Sequence, residues 1–159
     1  MLRDRIVMIT GASAGIGEAC ARAFAREGAR LILAARRSDR LAALAAELGV
    51  PVHALELDVR DRAQVEAAVS GLPQAWRDVD VLVNNAGLSR GLEPVHEGDP
   101  VDWEEMIDTN VKGLLWVTRA VLPGMVARDR GHVINIGSVS GHDVYPGGAV
   151  YCGTKFAVH

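Results

Sequence analysis

The chain has 159 residues, 49% of them hydrophobic and 23% charged, with a formal net charge of −3. That length and apolar content suit one domain with a sizeable core. The mild acidity offers no basic patch for nucleic acid, and no apolar run approaches the ~20 residues that span a membrane.

Apolar runs of strand length alternate with segments of helical period. Residues 5–10 read as a buried strand around Ile-Val-Met-Ile, followed by a helix over 15–26 that Gly28 stops. Residues 31–35 form the second strand. Ser38 is placed to cap a helix running through Leu48, with Gly49 at its end. The third strand covers 52–57, the third helix about 61–75, and the fourth strand 79–83. After a loop over 87–98, Asp99 reads as an N-cap and Pro100 as the first residue of a helix reaching about Arg128. Residues 131–137 hold the fifth strand, His-Val-Ile-Asn-Ile. A Gly/Pro-rich loop over 141–148 leads into the last helix. Strands that are apolar throughout, alternating with helices, predict a Rossmann-type α/β fold: a doubly wound parallel sheet covered by helices on both faces. One domain, 1–159, is expected.

The opening Met1-Leu2-Arg3-Asp4-Arg5 does not read as a secretory leader. Cys20 and Cys152 form no spaced pair, the pattern of a reduced, cytoplasmic setting. The five histidines, His53, His96, His132, His142 and His159, are scattered, so no metal is expected.

Ligands of such sheets bind at the carboxyl ends of the strands. The first strand ends in Thr10-Gly11-Ala12-Ser13-Ala14-Gly15-Ile16-Gly17. Glycines let backbone approach a pyrophosphate, and the helix N-terminus supplies N–H donors with a partial positive charge. A plain strand-to-helix turn is the alternative. The second strand ends in Ala35-Arg36-Arg37. A free ribose 2′-hydroxyl meets an acid at this place, whereas a 2′-phosphate meets arginine. Two solvated arginines would look the same. Asp58-Val59 closes the third strand, where the acid suits either an adenine amino group or the cap of the next turn. The fourth ends in Asn84-Asn85-Ala86-Gly87; small residues leave room for a flat ligand, and asparagines can tie strand ends together. Asn110 lies mid-helix, where asparagine competes with backbone hydrogen bonds. Ser138 and Ser140 follow the fifth strand, and either suits a turn.

Tyr151 and Lys155 stand four residues apart on the last helix. That spacing places both on one face, with Cβ atoms ~5–6 Å apart. An ammonium beside a phenol favours the phenolate, and such a phenol can donate or accept a proton near neutrality. An ordinary surface pair has the same spacing. Thr154, between them, reads as a packing residue.

Together these residues resemble the short-chain dehydrogenase/reductase family over the whole chain. Thr10 to Gly17 fits its Thr-Gly-x-x-x-Gly-x-Gly loop and Asn84 to Gly87 its Asn-Asn-Ala-Gly motif. Asn110, Ser138, Tyr151 and Lys155 fit its catalytic tetrad in order, with Ser138 thirteen residues before Tyr151. The resemblance implies roles. Tyr151 is the acid in carbonyl reduction and the base in alcohol oxidation. Ser138 positions the substrate oxygen. Lys155 binds the nicotinamide ribose and tunes Tyr151. Asn110 holds a relay water through its backbone carbonyl. Gly11, Ser13, Gly15, Ile16, Gly17, Arg36, Arg37, Asp58, Val59, Asn85, Ala86 and Gly87, with Tyr151 and Lys155, form the expected cofactor-binding set.

Ala35 and Arg36 match the branch that prefers NADP(H) over NAD(H), although Ala14 stands where many such members carry a basic residue. Residues 106–110, 118–125 and 132–138 are similar to the subgroup acting with NADP on serine and 3-hydroxy acids, which includes broad reducers of small aldehydes and ketones. The expected partner is therefore a small carbonyl or alcohol substrate, with Arg90, His142 and Tyr145 on pocket-facing loops. The resemblance further implies a longer chain of ~250 residues whose C-terminal strands are absent here, and a homodimer or homotetramer at full length. The competing expectation is a catalytically silent NADP(H)-binding regulator or scaffold.

Overall fold

The computed structural model describes residues 2–159. Five strands, β1 (Ile6–Thr10), β2 (Arg30–Ala35), β3 (Val52–Glu56), β4 (Val81–Asn84) and β5 (His132–Asn135), form one sheet in the order β3-β2-β1-β4-β5. Every pairing is parallel. The strand order reverses between β1 and β4, which creates a crevice at their carboxyl ends.

Alternation along each strand divides the core into two layers. Met8, Ile32 and Leu82 pack with Val65, Val117, Val121 and Met125 on one face. Val7, Ile9, Leu31, Leu33 and Val83 pack with Ala21, Ala25, Leu41 and Leu44 on the other. The second face is covered by α1 (Gly15–Arg26) and α2 (Ser38–Glu47), and the first by α3 (Arg62–Ser70) and α5 (Leu114–Ala127). All five β1 residues are buried, as expected of a central strand apolar throughout. Gly28 ends α1 at a φ of 76°, a left-handed conformation that favours glycine.

Four local expectations are corrected. Ser38 is the first residue of α2, and Arg37 occupies the cap position without a side-chain bond to the helix. The third helix stops at Ser70, because Gly71 and Pro73 divert the chain into a short 3-10 turn over Gln74–Trp76. β4 begins at Val81, since Asp80 instead turns its carboxylate back to accept from the Ile6 N–H at 3.0 Å. The long fourth helix is not continuous. Asp99 caps α4 (Pro100–Ile107), accepting from the Val101 N–H at 2.9 Å as expected. A π-helical turn over Asp108–Gly113 then separates α4 from α5. Gly113 packs so closely on Val59 that a Cβ there would lie 2.6 Å from Val59 Cγ2. The last helix, α6, runs Ala149–Val158.

Candidate active site

The β1–α1 loop sits at the reversal point. A Cβ on Gly17 would collide with the Gly11 carbonyl oxygen and Asn85 Nδ2, so this glycine permits the close approach of α1 to β4. Gly15, at a φ of 57°, has open space where a Cβ would point. Ala14 gives α1 no side-chain cap, which leaves first-turn N–H groups for another acceptor.

Thr10 and Asn85 lock this loop to β4. The Thr10 hydroxyl oxygen accepts from the N–H groups of Asn85 and Ala86, both at 3.0 Å. Asn85 Nδ2 donates to the Thr10 carbonyl at 2.9 Å. One residue earlier, Asn84 Nδ2 donates to Thr118 Oγ1 at 2.8 Å and to Asn135 Oδ1 at 3.0 Å. The two asparagines therefore tie together strand ends and α5, as the motif suggested.

Asn110 lies in the π-helical turn and is buried. Its Oδ1 accepts from the Leu88 N–H at 2.8 Å, while Nδ2 donates to the Leu88 carbonyl at 2.8 Å and to Thr154 Oγ1 at 3.0 Å. One amide thus clamps the loop after β4 to α6. Thr154 does more than pack: its hydroxyl also donates to the Tyr151 carbonyl at 2.7 Å. Asn110→Ala would leave two main-chain groups of Leu88 unpaired. It should cost ~2–4 kcal/mol in denaturant unfolding, whereas an exposed asparagine would cost almost nothing.

Lys155 is buried at 8% exposure, with its ammonium 5.9 Å from the Tyr151 ring centroid. It donates to the Ile136 carbonyl at 3.0 Å. Burial pushes its pKa below the ordinary lysine value. Thr109 adds a buried hydroxyl oxygen without a hydrogen-bond partner.

A cleft of about 600 Å³ joins these groups, within the usual range for small-ligand sites. Its lining includes Gly11, Ser13, Gly15, Ile16, Arg36, Arg37, Asp58, Val59, Asn85, Ala86, Gly87, Tyr151 and Lys155. Three expected site residues lie off the lining. Gly17 packs beneath the loop, Asn110 sits behind it, and Ser138 Oγ accepts from the Ser140 N–H at 3.1 Å to cap a short 3-10 turn. His142 instead packs edge-on against His159, at 4.1 Å between ring centroids. Tyr145 lies over Gly148.

At the mouth of the cleft Arg37 donates to Ser13 Oγ from Nε at 3.2 Å and Nη2 at 2.9 Å. This guanidinium supplies the basic group beside the loop that Ala14 lacks. Asp58 takes the turn-holding role, accepting from the Arg60 N–H at 3.0 Å and from the Arg60 guanidinium at 2.6 Å. Those side-chain bonds hold its carboxyl below the usual carboxylate range. Sequence reading missed Arg60, Thr109 and Glu105. Thr109 precedes Asn110 and carried a local signal, but the pairing of Arg60 with Glu105 spans 45 residues and carried none.

The donor set fits a dinucleotide. Open space at Gly15, an uncapped helix start and the Lys155 ammonium lie on one cleft, which Thr109 also lines. The family description "short chain dehydrogenase" matches residues 5–159. The chain belongs to the short-chain dehydrogenase family. It is 58% identical over 150 residues to the NADP-dependent 3-hydroxy acid dehydrogenase YdfG of Salmonella typhi, a match covering 94% of this chain and 60% of the relative. It is 46% identical to the serine 3-dehydrogenase of Agrobacterium fabrum, over 94% of this chain and 59% of that one. Among solved structures, the closed form of serine dehydrogenase complexed with NADP+ superposes with a TM-score of 0.92 at 52% identity. That match covers 95% of this chain and 61% of the other. The chain thus spans about 60% of the curated relatives it matches. Among the described residues no helix is long and apolar enough to cross a membrane.

Proposed function

We propose that this protein transfers a hydride between NADP(H) and the carbonyl or alcohol of a small substrate, with Tyr151 as the general acid and base. The observation that carries the reading is the joint placement of Tyr151, Lys155 and the glycine loop on one cleft. The NADP-dependence named for the relatives points the same way.

The bound cofactor supplies the hydride, and the chain supplies position and the proton. The glycine loop and the start of α1 would hold the pyrophosphate, and Arg36 and Arg37 the 2′-phosphate. Asp58 and Val59 would serve the adenine, and Asn85, Ala86 and Gly87 the ribose and nicotinamide. Lys155 spends one N–H on Ile136 and has two left for ribose hydroxyls. In reduction, the Tyr151 hydroxyl donates its proton to the substrate oxygen. In oxidation, the same oxygen takes a proton from the substrate hydroxyl. The Lys155 charge stabilises negative charge developing on that phenol. Ser138 accepts in its turn through an oxygen lone pair, so its O–H remains to orient the substrate oxygen. Asn110 spends its side chain on Leu88 and Thr154, and its backbone carbonyl is the group assigned to the relay water by the family resemblance.

A 3-hydroxy acid, a serine-like compound, or a small aldehyde or ketone is the substrate class that this reading selects, in a cytoplasmic homodimer or homotetramer. Cofactor choice tests it first. KM should be lower for NADPH than for NADH; a lower KM for NADH sinks the assignment. Arg36→Ala should raise the NADPH KM about tenfold, as expected for one exposed charge-assisted contact, and leave the NADH value nearly unchanged.

A further inference from the structure

One acid organises the arginines at the mouth of the cleft. Glu105 lies on α4 with its side chain 20% exposed. Three guanidiniums reach it from the ends of three strands. Arg90 Nε, after β4, donates to Oε2 at 3.0 Å, and Arg60 Nη1, after β3, donates to Oε1 at 3.3 Å. Arg36 Nη1, after β2, lies 4.0 Å from Oε1. Arg60 is gripped a second time by Asp58 at 2.6 Å. Arg36 is the most loosely held of the three, and its side chain is 56% exposed. It stands beside Arg37, which already reaches Ser13 over the glycine loop. The arginine best placed to swing toward a phosphate is therefore the one weakly drawn the other way by a carboxylate.

We propose that Glu105 sets how strongly the cleft discriminates a 2′-phosphorylated dinucleotide from its unphosphorylated counterpart, by competing with the phosphate for Arg36. The inference rests on the NADP(H) reading above. A phosphate on the far edge of Arg36 would stand one Debye length, ~8–10 Å, from the carboxylate. The two anions therefore repel while sharing one cation. Binding the phosphate must draw Arg36 out of the Glu105 contact against that field. An unphosphorylated ribose meets neither cost. Arg60 and Arg90 bond different oxygens of Glu105, so in Glu105→Gln the single amide oxygen keeps one of those two bonds while the NH2 faces the other guanidinium: the charge is removed together with one bond of the network.

Equilibrium titration of the full chain with NADPH and with NADH, followed by nicotinamide fluorescence, tests this. Glu105→Gln should lower the NADPH Kd about three- to tenfold at low salt, from the loss of one like charge, and shift the NADH Kd less than about twofold. Glu105→Asp keeps the charge and should stay near the parent. Added salt at ~0.5 M should shrink the gain, because it screens the repulsion that the substitution removes. Weaker NADPH binding in Glu105→Gln, or an equal change for both dinucleotides, overturns the proposal and leaves the NADP(H) reading standing. A parent that binds neither dinucleotide, or prefers NADH, overturns both.

Discussion

Tyr151→Phe should lower turnover of a carbonyl substrate by about 10²–10⁴-fold, the range for losing a positioned proton donor. The substitution deletes one oxygen and keeps the ring, so packing on α6 should be unchanged. The NADPH Kd should move less than about twofold, because tightly oriented cofactor groups elsewhere in the cleft are untouched. Stopped assays for turnover and a fluorescence titration for binding read the two effects separately. If Tyr151 were only a surface neighbour of Lys155, both numbers would stay at the parent value. Equal losses in binding and turnover would instead assign the residue to the cofactor pocket.

Lys155→Met should be comparably damaging, by a different route. It keeps the length of the side chain and removes the charge and the donors. Turnover should fall by at least ~100-fold, and cofactor binding should weaken as well, because hydrogen bonds to the ribose go with the ammonium. The substitution also has a pH signature. Burial lowers the Lys155 pKa in the folded chain below the ordinary lysine value of 10.5. The folded state thus binds fewer protons than the unfolded state between those two pKa values, and stability contributed by this group rises with pH there. Below the folded pKa the parent carries the full desolvation cost. Above about 10.5 that cost is relieved. The melting temperature of the parent relative to Lys155→Met should therefore shift in the parent's favour from pH 7 to pH 10.5. A constant difference across that range would contradict a desolvated ammonium.

The features that the chain displayed in order were local ones. The alternation of apolar runs with helical segments produced the sheet and its two covering layers, and Gly28 and Asp99–Pro100 marked helix ends correctly. The glycine loop was legible because its signal, glycines between a buried strand and a helix start, sits within eight residues, although the groups that Gly11 and Gly17 make room for, Asn85 and Ala86, come from the end of β4. What stayed hidden depends on partners distant in the chain. Asn110 looked like a misplaced helical asparagine. Its environment is created by Leu88 and Thr154, 22 and 44 residues away, and by a π turn that periodicity does not reveal. Arg60 and Glu105 stand 45 residues apart and carry no local signal; the fold brings them together beside the cleft. Asp58 stood evenly between adenine and a turn. The Arg60 bonds explain why its position is fixed, and two carboxylate oxygens retain further acceptor capacity.

Cofactor reduction, followed at 340 nm with 3-hydroxy acids and serine as substrates, bears most directly on the proposed function. NADPH should accumulate in proportion to enzyme, NADH far more slowly, and Tyr151→Phe should lower both signals about 10²–10⁴-fold. Tight NADPH binding by the full-length protein, with no turnover of any 3-hydroxy acid, serine or small aldehyde or ketone tried, would contradict it and favour a silent dinucleotide-binding regulator.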